Sequence, residues 1–161
     1  MRILIFICSL FLSRHHSPEN KTKIDVPIYP NIADTSKYVI LKLNSIPGYI
    51  FDNSYKPAEL SEGDITTIEK LIDKSVQKYN KRAKKYLLIK NLSGYYKQFI
   101  IVTNATGEKE VWANCFCDVF PQNFSWKKKI LSVFDGGSCF FQLKINLTTK
   151  RIYDFSVNGV A

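Results

Sequence analysis

The sequence predicts an α+β domain, and three stretches predict it. Residues 61–80 carry the apolar period of a helix, with Ile65, Ile68, Ile72, Val76 and Tyr79 on one stripe. Residues 95–102 and 108–117 alternate on either side of a polar, glycine-containing loop, as the arms of a β-hairpin do. The C-terminal third, from Lys127 onward, adds three apolar strand-like runs broken by Asp135-Gly136-Gly137 and a polar turn. One amphipathic helix followed by an antiparallel meander buries its stripe on one face of the sheet.

At 161 residues the chain is long enough for one domain with a real core, and a hydrophobic fraction of 45% with 14% aromatics excludes a disordered chain. The net charge is +9. Arginine, the better phosphate fork, occurs only at Arg2, Arg14, Arg82 and Arg151, and the lysines are scattered, so the balance reads as a solvated surface and not as a nucleic-acid interface.

Arg2 followed by an apolar run from Ile3 to Leu12 has the form of a secretory signal, which places the signal at residues 1–13. The run is too short to cross a bilayer as a helix, which needs about 20 residues. Phe11 is bulky for a cleavage site after Ser13, so a buried strand or an uncleaved anchor remain as alternatives. Large residues at Ile5, Phe6 and Ile7 argue against a lipid-modified Cys8. Residues 14–36, with Pro18, Pro27 and Pro30, read as a tether, and His15 and His16 as part of it. The domain proper is then 37–161, and the expected location is the periplasm or cell envelope.

Within the domain, residues 38–43 form a strand-type run, Pro47-Gly48 a turn, and Tyr49, Ile50 and Phe51 a second apolar patch. Ser61 with Asp64 makes a capping-box pair at the helix start. The basic run Lys81, Arg82, Lys84 and Lys85 suits the negative end of the helix dipole. Residues 86–89 read as a short strand. In the hairpin, Val111, Ala113, Cys115 and Cys117 share one face, and Trp112, Asn114 and Phe116 the other. An excursion over 118–129 carries two exposed-looking aromatics, Phe124 and Trp126. Gly136 and Gly137 interrupt what is otherwise one long strand over 130–146. A bulge with a sharp bend is favoured there, with a hairpin turn at Asp135-Gly136 as the alternative. After a turn at 147–150 the chain returns with Tyr153, Phe155 and Val157 on one face.

The segments GEKEVWANCFC (107–117) and FDGGSCFFQLKINLTTKRIYDFSVNGVA (134–161) resemble a family of small, uncharacterised, exported bacterial proteins. The resemblance implies no activity and transfers no site residue. The element order itself matches cystatin-like and nuclear-transport-factor-like folds, in which a curved sheet curls around a helix.

The chemistry read from the residues is mostly exclusion. No histidine follows His16, so the domain has no base for a Ser-His-Asp or Cys-His arrangement and no His-based metal site. Asp-Gly-Gly-Ser lacks the spacing and lysine of a phosphate loop, and the loop Asn104–Gly107 lacks the Gln-x-Val-x-Gly of a protease-inhibiting hairpin. The carboxylates Asp118, Asp135, Asp154, Glu108 and Glu110 are not paired in sequence. No catalytic, cofactor-binding or metal residue is therefore assigned, and no cofactor. Nor is a disulfide: if the strand starting at Ile130 pairs with 108–117, Cys139 lies about 30 Å from Cys117 at a strand rise near 3.3 Å. If Asp135-Gly136 is a turn, it lies two strands away at about 9.6 Å, beyond the roughly 7 Å a disulfide spans. Cys115, Cys117 and Cys139 are expected as three buried free thiols. The functional expectation is a non-catalytic binding or interaction module of the envelope, its partner an envelope protein or small ligand. The alternative is a pocket enzyme using a single carboxylate.

Overall fold

The structure, a computed structural model, describes residues 36–160 apart from 46 and 120. The expected secretory segment, nearly all of the expected tether, and Cys8, His15 and His16 lie outside the described residues.

The capping pair starts the helix. The Ser61 amide donates to the Asp64 carboxylate at 2.8 Å, and the Asp64 amide donates to the Ser61 carbonyl at 3.0 Å. This satisfies donors that the first turn of a helix leaves open. From there α1 (Glu62–Asn80) runs with Ile65, Ile68, Ile72 and Val76 buried and Tyr79 half-buried, the stripe its spacing predicts. At its end Asn80 clamps the returning chain: its Nδ2 donates to the Ile89 carbonyl at 2.8 Å and its Oδ1 accepts from the Ile89 amide at 2.9 Å. The intervening residues 85–87 form a 3₁₀ turn and not the expected strand.

The other elements are β1 (Tyr38–Leu41), β2 (Lys56–Pro57), β3 (Tyr96–Thr103), β4 (Lys109–Phe116), β5 (Phe140–Asn146) and β6 (Arg151–Val157). They form one sheet in the order β1-β3-β4-β5-β6, with β2 also paired to β3. The α+β class stands. The purely antiparallel, curved meander does not: β1 runs parallel to β3, so the sheet is mixed, and it stays uncurled. A helix between β1 and β3 supplies the long crossover that a parallel pair needs.

Both sheet faces are covered, which is why β3 and β4 are buried almost continuously despite their alternating pattern. Phe99, Ile101, Val111, Ala113, Cys115, Phe141, Leu143 and Ile145 meet α1. On the other face Ile100, Val102 and Trp112 pack under Leu41, Ile50 and Phe51, and Phe116 and Phe140 pack under Leu131.

Residues 117–139 supply the rest of this second covering, and here three expectations are corrected. Residues 130–136 are not strand, and Gly136 and Gly137 form neither a bulge nor a hairpin turn. They take left-handed φ values of 85° and 55° leading into a 3₁₀ turn (Gly137–Cys139) that starts β5. A Cβ on Gly136 would meet the Phe140 ring at 2.6 Å. Phe124 and Trp126 are half-buried and not exposed, with the Trp126 ring 5.1 Å from Tyr96 and 5.7 Å from Phe116. A polar ladder lashes the segment down. Gln98 Nε2 donates to the carbonyls of Trp126 and Lys129, and its Oε1 accepts from Asn114 and from the Leu131 amide. Asn114 also donates to the Leu131 carbonyl at 2.8 Å, and Asn158 to those of Val133 and Asp135.

With the excursion lying on that face, β4 pairs directly with β5, Phe116 opposite Phe140. Cys117 and Cys139 form the next rung, with Cα atoms 4.9 Å apart, and they are joined in a disulfide. The expectation of three free thiols is therefore wrong for this pair. It assumed that the excursion ended in the strand beside β4, which would have carried Cys139 away. Cys115 alone of the three is a free, buried thiol.

The one bulge in β5–β6 lies at Lys144/Ile145. It shifts the register by one residue, so that Ile152, Phe155 and Val157 pack toward the helix and Tyr153 leaves their face.

Candidate functional site

The site with the most binding character is a groove between α1 and the edge strand β6. Its volume is about 570 Å³. The floor is apolar, made by Leu71 and Tyr79 of the helix and Ile152 and Phe155 of the strand. The Tyr79 and Phe155 rings lie 5.7 Å apart. The rim is basic: Lys74, Lys78 and Arg82 from α1 and its C-terminal turn, and Lys150 from the β5–β6 turn, against one carboxylate, Asp154. The ion pairs seen among the described residues lie elsewhere, at Lys97–Glu69 and Lys109–Asp64. None of the four rim cations is held by one.

Local sequence explains each position. Lys74 and Lys78 are one helical step of four apart and flank the buried stripe. Arg82 sits in the turn where the amides of Arg82 and Ala83 donate to the Tyr79 carbonyl. Lys150 takes a left-handed φ of 56° to close the tight turn into β6. The helix-dipole reading of the basic run did not anticipate this convergence. The available signal was the four-residue spacing of lysines beside the stripe.

A second cavity, about 820 Å³, is lined by β1, the segment that follows it and Ile101, and balances Lys42 against Asp52.

The carboxylates considered from sequence do not assemble. Asp118 and Asp135 are exposed. Glu108 accepts from Asn104 and Asn146, each at 3.0 Å, and these bonds hold its carboxyl below the usual range. Glu110 is buried and accepts from Asn104 Nδ2 at 2.9 Å and from the Tyr153 hydroxyl. Burial, then the Glu110 carboxylate, pushes the Tyr153 hydroxyl upward. The group ties the β3–β4 loop to β6, and Glu110 lines none of the cavities described above. Asp154 alone borders the groove.

Cys115 faces the helix with its thiol pushed upward, chiefly by burial. It is opposite Lys97 in the ladder. Lys97 is itself buried and reaches Glu69 of α1 at 3.3 Å. The alternation Tyr95, Lys97, Phe99 marks Lys97 as inward-facing, a signal the sequence reading passed over. The thiol is an inert core group. Among the described residues no three His, Cys, Asp or Glu are placed to hold a metal ion, and no helix is long and apolar enough to cross a membrane.

Comparison with protein-family models, with curated protein sequences and with solved structures found no match.

Proposed function

We propose that the protein is a non-catalytic binding module of the cell envelope, and that the α1–β6 groove is where it takes an anionic, partly apolar ligand. The observation that carries this reading is the groove's composition: an aromatic and aliphatic floor under four cations and one carboxylate. Apolar area supplies affinity, and cations without an ion-pair partner among the described residues supply orientation and attraction at range. Two features support an exported protein: the apolar run after Arg2 and the Cys117–Cys139 disulfide, since disulfides persist in oxidising compartments.

Anilinonaphthalene sulfonate combines an aromatic body with one anionic group and is the probe of choice. Its titration is expected to shift the backbone amide resonances of Tyr79, Ile152 and Phe155. Lys78→Glu with Arg82→Glu should weaken it about tenfold, as reversal of charge at a partly desolvated rim does. Shifts confined to other surfaces would overturn the groove as the site. Export is tested apart from it, by fusing residues 1–30 to a reporter active only outside the cytoplasm; a silent reporter rejects export.

A further inference from the structure

β6 is the end of the sheet. It pairs with β5 on one side, and among the described residues no backbone group pairs with its other side. Which of its groups face out follows from the ladder phase. The Asn158 amide donates to the Phe140 carbonyl at 2.9 Å, and the pairing continues as Ser156 with Gln142 and Asp154 with Lys144. In an antiparallel ladder every second pair exchanges hydrogen bonds. Asp154 and Ser156 therefore bond to β5, while the amides and carbonyls of Phe155 and Val157 point to the open edge. Proteins usually blunt such edges with short strands, charges or bulges. Here the bulge disturbs only the half of β6 around Tyr153, and residues 154–157 remain regular.

The open backbone lies beside the basic groove, because Phe155 belongs to both. We propose that β6 accepts an extended acidic segment of a partner protein as a further strand, an assignment that rests on the groove being the binding site. The charge spacing fits such an occupant. Cations four residues apart on a helix are separated by about 6 Å along its axis. Same-face residues of an added strand are about 6.6 Å apart. Acidic side chains at alternate positions thus come into step with Lys74, Lys78 and Arg82, while the main chain bonds to Phe155 and Val157. A helix, having no free backbone groups, would leave the edge unused.

The test uses an acetylated heptapeptide alternating glutamate and valine, the same peptide with lysine for glutamate, and a version N-methylated at every residue to remove the donors of both edges. The acidic peptide is expected to bind and to slow amide exchange at Phe155 and Val157. N-methylation and the lysine exchange should each weaken binding at least about tenfold. Val157→Pro removes one outward donor without touching the β5 ladder, and should lose peptide affinity while keeping the sulfonate probe. Equal binding of the N-methylated peptide would overturn strand addition and leave the groove standing. Failure of both peptide and sulfonate probe to perturb groove residues would overturn both readings. Protection of Phe155 and Val157 in a protein that sediments as a dimer would show that a second copy fills the edge, and would also overturn the proposal.

Discussion

The amide of Cys117 donates to the carbonyl of Cys139 at 2.9 Å, and the same two residues are joined through their sulfurs. The β4–β5 ladder is thus continued one rung past Phe116–Phe140 by a hydrogen bond and a covalent link together. The link also closes the base of the excursion that covers the outer sheet face.

A loop of this size, a separation of 22 residues, carries a cross-link worth about 3 kcal/mol through the entropy of the unfolded chain. Cys117→Ser with Cys139→Ser should lower stability by about that amount in urea titrations. Alkylation of the denatured, unreduced protein should modify Cys115 alone of the domain's three cysteines. Labelling of all three would show that the bond is not formed.

Ile72 is wholly buried in the helix stripe. Ile72→Asp places an unpaired carboxylate in the core and should cost roughly 4 kcal/mol or more. Lys74→Asp, two residues along on an exposed position, should change stability by under about 0.5 kcal/mol. Equal melting temperatures for the two variants would refute the facing of α1.

Gln98→Leu preserves the bulk of a buried side chain and removes its four bonds to the neighbouring strand and the excursion. Leaving the Leu131 amide and two carbonyls without partners should cost about 2 kcal/mol or more. Hydrogen exchange at Leu131 should accelerate before that of β3 and β4. Exchange unchanged at Leu131 would mean that the aromatic contacts of Trp126 alone hold the segment.

Asp64 joins the helix start to β4. Burial raises its pKa, but the hydrogen bond from Lys109 at 2.7 Å and those from Ser61 outweigh it, so the carboxyl lies below its ordinary value. A lowered folded-state pKa contributes stability above the unfolded value near 3.9, and that stability is lost as pH falls through the folded value. Lys109→Met should therefore reduce stability at pH 7 and flatten the acid limb of a melting-temperature profile below about pH 4. An unchanged acid limb would show that the pair is screened out by solvent.

Periodicity and caps act over a few residues, so the chain alone determined α1, its buried stripe and its start at Ser61. It likewise determined the β3–β4 hairpin and the inward facing of Val111, Ala113 and Cys115. Alternation also placed Lys97 inward, though its partner Glu69 could be known only once the helix was docked. Tertiary structure decided what depends on which distant segments meet. The parallel pairing of β1 needs the crossover to be placed, and the partner of β4 depends on whether residues 117–139 run as a strand or fold over the sheet. Gln98, Asn114 and Asn158 choose the second, and that choice brings Cys117 to Cys139. The groove is of the same kind. Lys78 and Lys150 lie far apart in the chain, and no local pattern relates them until β6 is laid as the last strand beside α1.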